Sequence, residues 1–560
     1  MLKNILICSA ALALLSSCSN SKSGPHPQLG DLDSRGVYHP LDNETDPDKV
    51  ENWFTKGPSN HVEGVDAERA YYDFHLNLNA PDVIVAIIDS GVDINHEDLK
   101  DRIWINQAEA QGLAGIDDDS NGFIDDIHGW NFLGGHDAQG NNVDVSDERS
   151  EATRQLAHLH KLQVTLSSQG KNLSTDDQML LNQFNQEVTG DRNVAQFQLT
   201  NTQSALSAIA TQYNLIQNKI NINFDQLTIE DIQKFSPNTT AETDAKAKIL
   251  AQLNNNSAQS VQRLQIRAKT LNYSLEYILN ENFDPRAQII HDDPDDFSQT
   301  SYGNNDVTGP DALHGTHVAG IIAANRDNGI GIDGIAENAK IMILRAVPNG
   351  DEYDKDIYLS VKYAVDNGAR VINMSFGKTY SPHKDQLDQI FQYAASKGVV
   401  IVHSAGNSAA NNDSTPIFPN RFIAHPTIDT EIKTWIEVGA STRYDSSQLV
   451  ASFSNFGQHS VDIFAPGADI KSTTPGNTYT ILSGTSMASP AVTGVVALLM
   501  SQKPNLTGEQ IRQVLLDSAR SRSSLLVESP STMDFVSFDT LCKTGGVADS
   551  YAAIKKILSL

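Results

Sequence analysis

The sequence predicts an α/β fold: a doubly wound, mostly parallel sheet flanked by helices, with a mainly α-helical insertion. Three observations carry this expectation. Continuous apolar runs of strand length recur at residues 83–88, 339–347, 371–374, 399–402 and 436–438. Runs without a polar alternate face belong to parallel strands covered on both sides. Helical segments lie between several of them, at 356–367 and 384–397, and strands alternating with helices build βαβ units. Third, residues 146–286 are rich in Gln, Asn, Ala and Leu, with few strand-like runs.

Within that last stretch Leu199, Leu206, Ile209, Tyr213, Ile216 and Ile220 follow helical steps, with polar Thr202 in the series. They read as the buried seam of a long helix. Thr175 with Gln178 could form a capping box, and Thr228 with Asp231 is a weaker helix start. The stretch therefore reads as helical hairpins inserted into the α/β domain, which is assigned to 62–145 and 287–560.

The amino terminus reads as a processing signal. Lys3 precedes an apolar segment at 5–15 that is too short to span a bilayer as a mature helix. It ends in Leu15-Ser16-Ser17-Cys18, which resembles a bacterial lipobox, with Cys18 as the lipidated residue. Residues 1–18 are then a lipoprotein signal and 19–61 a flexible tether and N-terminal extension. The expected location is the cell envelope, on the periplasmic or outer-surface side, with membrane contact through the lipid only. Of the three cysteines, Cys8 leaves with the signal and Cys542 stands alone, so no internal disulfide framework is expected. A net charge of −28 argues against nucleic acid or an anionic membrane surface as partner.

Four short segments carry chemistry. The first apolar run leads directly into Asp89-Ser90-Gly91-Val92-Asp93. His314-Gly315-Thr316-His317 opens a small-residue helix, and Gly484-Thr485-Ser486-Met487 opens an apolar one. Ser404-Ala405-Gly406-Asn407 follows the run that ends at Val402. In this order and context the segments resemble the subtilase family of serine peptidases. The resemblance covers roughly 62–145 and 287–560, and it implies a subtilisin-like fold and hydrolysis of peptide bonds in proteins. A serine hydroxyl is a poor nucleophile near neutral pH and needs a base. His314 is the expected base, Asp89 the carboxylate that orients it, and Ser486 the nucleophile. The N–H of Ser486 and the side-chain amide of Asn407 are the expected oxyanion donors. Pro490 is expected at an early helical position where its missing N–H costs little.

The resemblance also implies that a substrate strand docks along Ser375, Phe376 and Gly377, opposite a segment near 347–350. Ser375, Phe376, Gly377, Ser404, Ala405 and Gly406 are the expected pocket walls, and their small size leaves room for a sizeable side chain. The pocket floor is not assignable from sequence. Asp93, His96 and His317 are expected to be structural, and His158, His160, His403 and His459 to be surface or packing residues.

The run Asp117-Asp118-Asp119-Ser120-Asn121-Gly122-Phe123-Ile124-Asp125-Asp126 resembles a calcium loop. Alternating oxygen donors followed by a glycine turn suit a hard cation. The expected ligands to a structural Ca2+ are Asp117, Asp119, Asn121, the Phe123 carbonyl and Asp125; the alternative is an acidic solvated turn. A second family site would use Asp98 with the loop 325–330. Two features depart from the family. Asp89 and His314 are 225 positions apart, and about 40 residues separate Cys18 from Val62, too few for the usual folded pro-domain. Two other functional readings stay open beside broad proteolysis of polypeptides. One is a narrow maturation protease, and the other a binding or adhesion protein that meets a partner through the helical insertion.

Overall fold

The apolar run at 83–88 forms strand β1, Val83–Asp89, in a computed structural model that describes residues 46–423 and 431–560. Further strands are β2 (Gly129–Asn131), β3 (Ala339–Arg345), β4 (Val371–Met374), β5 (Val400–Ser404), β6 (Trp435–Ser441), β7 (Ile463–Pro466), β8 (Arg520–Ser521) and β9 (Gly546–Val547). They make a nine-stranded sheet in the order β8-β9-β7-β6-β5-β4-β1-β3-β2. Every pairing is parallel except β8 with β9. The expected doubly wound α/β sheet is thus present. Strands β2, β7, β8 and β9 are additions to it; β2, β8 and β9 are only two or three residues long, too short to show a pattern in the sequence.

The apolar run at 339–347 stops being strand at Arg345 for a local reason. The N–H groups of Ala346 and Val347 both turn to the Asp89 carbonyl, at 3.0 and 3.2 Å. The helices that cover the sheet are α1 (Leu313–Ala323), α2 (Asp354–Asp366), α3 (Lys384–Ser396) and α4 (Thr485–Gln502). Alternate residues of β1 serve opposite faces. Val85 and Ile87 join a core with Val318, Ile322, Val492 and Val496 of α1 and α4. Ala86 and Ile88 join another with Ile357, Val361, Ile390 and Phe391 of α2 and α3. This two-sided burial is why the run carries no polar alternate.

The core begins earlier than the sequence suggests. Val50, Trp53 and Phe54 are at most 4 % exposed and pack in the α1–α4 core, so the extension ends before Val62. Cys18, the export segment and the proposed tether up to residue 45 lie outside the described residues.

Asp147–Asp284 is a compact unit, and residues 46–146 with 285–560 form another. In the former, Thr175–Ile220 is one helix of 46 residues. Leu199, Ile209 and Ile216 are buried along it, and so is Thr202, whose hydroxyl donates to the Gln198 carbonyl at 2.8 Å. A polar residue thus fits the seam by bonding back to its own helix. The helix is capped by Ser174, which accepts the Asp177 N–H, one residue before the expected Thr175. Thr228 and Asp231 do form a reciprocal cap.

In the larger unit the ends of residues 146 and 285 are each held. The Ser146 carbonyl accepts the Asn349 N–H at 2.8 Å. Arg286, 2 % exposed, pairs with Asp292 at 2.7 Å and Asp356 at 2.6 Å, and Lys355 pairs with Asp292 at 2.7 Å. Ions this deeply buried are costly to strand one at a time.

Phe54→Ala is expected to lower unfolding stability by about 3–5 kcal/mol, read from the midpoint of urea denaturation. An unchanged midpoint would place Phe54 outside the cooperative core.

Candidate active site

The register of β1 sets the site. Asp89 is its last residue, opposite Arg345 of β3, while Ile88 faces Met374 of β4. The strand order reverses at β1, and in such sheets the crevice beyond the strands' carboxyl ends is where ligands bind. Asp89 is 2 % exposed; its Oδ1 accepts the Ser90 N–H at 2.8 Å and lies 2.7 Å from His314 Nδ1. The chain then turns through Gly91 at φ +121°, where a Cβ would run into the Thr308 carbonyl. His314 is the second residue of α1. Gly315 lets that helix close on the turn, since a Cβ there would meet the Gly91 carbonyl.

Burial pulls the His314 imidazole toward neutrality, but the Asp89 charge and hydrogen bond outweigh it and leave its pKa above the ordinary 6.5. His314 Nε2 has no hydrogen-bond partner among the described residues. One turn on, His317 is fully buried, and its Nε2 is shared between the Ile470 and Thr480 carbonyls at 3.1 and 3.2 Å. Burial, then repulsion from His314, push its pKa down to about 3. His317 therefore stays neutral and ties α1 to the hairpin of residues 470–482. His96 and Asp93 also hold turns, through the Thr478 carbonyl and the N–H groups of Asn95 and Gly476. His403 is a buried packing residue, bonded to Glu437 at 3.0 Å.

Ser486, 6 % exposed, is the second residue of α4. Its hydroxyl donates to the Ser375 carbonyl at 3.2 Å, and the Ser375 hydroxyl donates back to the Ser486 carbonyl at 3.0 Å. That second bond corrects the expectation for Pro490. Proline is the sixth residue of α4, and an N–H there would have bonded the Ser486 carbonyl four residues back. Ser375 supplies the missing donor. Asn373 in turn donates to Ser375 Oγ at 3.0 Å and accepts from the hydroxyls of Ser489 and Thr493, both at 2.9 Å. Sequence reasoning missed this buried chain. Its signal was Ser489 and Thr493, two hydroxyls four residues apart in the otherwise apolar stretch 487–500.

Asn407 Oδ1 accepts both the N–H and the hydroxyl of Thr485, at 2.8 and 2.9 Å. This turns its Nδ2 toward the start of α4. A point above Gly484, where a Cβ would sit, is 3.6 Å from Asn407 Nδ2 and 3.6 Å from the Ser486 N. Two donor nitrogens at a helix N-terminus therefore border one small volume, an arrangement suited to a developing negative oxygen. Ser375, Phe376 and Gly377 leave the end of β4, and Ser404, Ala405 and Gly406 run from the end of the neighbouring β5.

A carboxylate cluster lies at the acidic loop. Carboxylate oxygens of Glu109, Asp119 and Asp126 lie within 4.8 Å of one another. Of the expected carboxylate ligands in the loop, Asp119 belongs to this group and Asp117 and Asp125 do not. Asp117 instead accepts the N–H groups of Asn121 and Gly122, and Asp125 that of Gly115. Asn121 bridges Asp119 and Asp126 through Nδ2, and the Phe123 ring packs on Trp130 and Tyr363. Glu109 comes from a helix before the loop, and Asp126 from the position after Asp125, so spacing within the run could not select them. Asp98 is buried; it accepts from Asn328 Nδ2 at 2.7 Å and from the Ile332 N–H at 3.3 Å.

A family model described as the subtilase family matches residues 80–535. A thermophilic serine proteinase of Bacillus sp. (strain AK1) is 43 % identical over 225 residues, which cover 40 % of this chain and 50 % of that protein. A cell wall-associated protease of Bacillus subtilis (strain 168) is 38 % identical over 225 residues, 40 % of this chain and 23 % of its own length. Subtilisin DY of Bacillus licheniformis is 38 % identical over 208 residues, 37 % of this chain and 70 % of its own. The chain thus spans half or less of the first two relatives.

An NMR titration is expected to show His314 with a pKa above 6.5 and His317 neutral down to about pH 3. The Asp89–His314 pair then contributes its full stability below pH 6.5 and loses it as pH rises through the higher folded-state value. Asp89→Asn should lower the His314 value; a value unmoved by that change would mean that the carboxylate does not govern the imidazole.

Proposed function

The chain belongs to the subtilase family, and on that premise we propose that it is a serine endopeptidase acting on polypeptides. The observation that carries the proposal is the Asp89–His314 pair at the carboxyl end of β1, next to β4, whose following residue Ser375 bonds Ser486, with the Ser486 and Asn407 nitrogens bordering one small volume. In the proposed reaction the Ser486 hydroxyl leaves the Ser375 carbonyl and gives its proton to His314 Nε2. Its oxygen attacks the scissile carbonyl carbon, and the carbonyl electron pair moves onto oxygen. Asn407 Nδ2 and the Ser486 N–H stabilise that oxyanion, donors whose positions cost no reorganisation when the charge appears. The anionic Asp89 stabilises the imidazolium without taking its proton. The intermediate collapses with cleavage of the C–N bond, and His314 delivers the proton to the leaving amine. Water, with His314 again as base, then frees the acyl group from Ser486.

The all-oxygen, all-anionic group of Glu109, Asp119 and Asp126 fits a hard divalent cation, and these residues would hold a structural Ca2+. Bound there, the ion would supply charge neutralisation to the loop and take no part in the reaction. Cys18 is proposed as a lipid anchor that keeps the enzyme at the cell envelope.

A fluorophosphonate probe is expected to label the purified protein, and Ser486→Ala to abolish labelling. Persistent labelling of the variant would assign the nucleophile elsewhere, and a folded wild-type protein that never labels would sink the peptidase reading. Calcium at about 100 times its dissociation constant should raise stability by about 2.7 kcal/mol, seen as a higher Tm. Asp119→Asn should remove that rise, and an equal rise in the variant would exclude the cluster as the site.

A further inference from the structure

We infer that Ile417 sets the side chain accepted on the amino-terminal side of the cleaved bond, and that it restricts acceptance to small residues such as Ala or Ser. The inference rests on the endopeptidase reading and names its substrate class. With the scissile carbonyl held by Asn407 and the Ser486 N–H, the pocket that the family resemblance places between the segments 375–377 and 404–406 would receive the side chain of the residue that owns that carbonyl. Each segment has a glycine facing this space, Gly377 on one and Gly406 on the other. By composition alone these small walls admit a large side chain.

The structure closes that space. A Cβ built on Gly377 would lie 3.1 Å from Ile417 Cδ1, and a Cβ built on Gly406 would lie 3.1 Å from the same atom. One methyl group therefore stands against both walls at once. An aromatic side chain buries roughly 150–250 Å², and the methyl occupies the ground that such a ring would need. A substrate methyl or hydroxymethyl group needs far less depth and gains apolar contact with Ile417.

Neither wall is free to retreat. Phe418, next to Ile417, exchanges two backbone hydrogen bonds with Lys378, at 2.8 and 2.9 Å, which ties the floor to the 375–378 wall. The Ile417 carbonyl accepts from Asn420 Nδ2 at 2.9 Å. On the other side Asn455, 3 % exposed, donates its N–H to the Gly406 carbonyl at 2.8 Å and accepts the N–H groups of Ser408 and Ala410. Asn412 donates to the Ala405 carbonyl at 2.8 Å. Parting the walls would break several of these bonds, among them the buried one from Asn412 to Ala405. Ile417 is also β-branched, with a stiff χ1.

The test uses the full chain with calcium and two peptide diphenyl phosphonates, identical except for an Ala or a Phe side chain beside phosphorus. Each forms a bond from Ser486 Oγ to phosphorus and expels phenoxide, so the inactivation rate reports how the pocket receives that side chain. Wild type is expected to react faster with the Ala reagent by roughly 10- to 200-fold, the range that a methylene or so commands in an apolar pocket. Ile417→Gly and Ile417→Ala should erase or reverse the ratio, with a melting curve for each to show that it is folded. A wild type that prefers the Phe reagent, or a ratio that neither folded variant moves, overturns the inference. If the fluorophosphonate labels Ser486 but neither peptide reagent reacts, the pocket is closed and the inference fails while the nucleophile stands. If the fluorophosphonate also fails, the peptidase reading falls and takes the inference with it.

Discussion

The exchange of hydrogen bonds between Ser375 and Ser486 fixes where α4 meets the sheet, and the rest of the site is built outward from it. Helix α4 is buried along almost its whole length, so apolar packing holds it firmly but does not by itself select its position along its axis. Non-directional burial allows sliding, whereas paired donors and acceptors do not. Asn373 joins Ser375 on one side and Ser489 with Thr493 on the other. Pro490 leaves the Ser486 carbonyl free for this purpose. Once α4 is registered on β4, Thr485 is positioned to hold Asn407, and Asn407 can present its amide over Gly484.

Charge is handled differently at the two ends of the α1–β1 contact. At His314 burial is outweighed by a carboxylate, so the ring keeps a raised affinity for protons. At His317, one turn deeper, no anion among the described residues answers the burial and the ring stays neutral. Two histidines three residues apart thus have opposite proton affinities. The difference comes from which of them Asp89, at the end of β1, can reach, and the turn that follows packs closely on α1 through Gly91 and Gly315.

Much of this was legible in the sequence where function and local structure coincide. Asp89, His314, Ser486 and Asn407 each sit where an apolar strand ends or a helix begins, and their order carries the family. The β1, β3, β4, β5 and β6 runs are continuous because both sheet faces are covered. What escaped is non-local. The Ile417 methyl lies between the walls only because Phe418 pairs with Lys378 across 40 positions, and no spacing rule reports that. Glu109 meets Asp119 from a separate helix. Trp53 and Phe54 sit in a polar, turn-rich stretch, so two core residues read as part of the N-terminal extension. Ser174 capped its helix one residue before Thr175 because adjacent hydroxyl residues look alike without backbone angles.

The two held ends at Ser146 and Arg286 bear on how such a chain can change over time. The larger unit anchors both ends with its own atoms, through the Asn349 N–H and through Asp292 and Asp356. The segment between is then a graft whose length is nearly neutral to its host, since doubling a loop costs only about 0.6 kcal/mol. Selection can rewrite those residues, lengthen them or exchange them while the bonds that hold the two ends stay in place. The same pinning makes the junction a ready insertion port for an engineer.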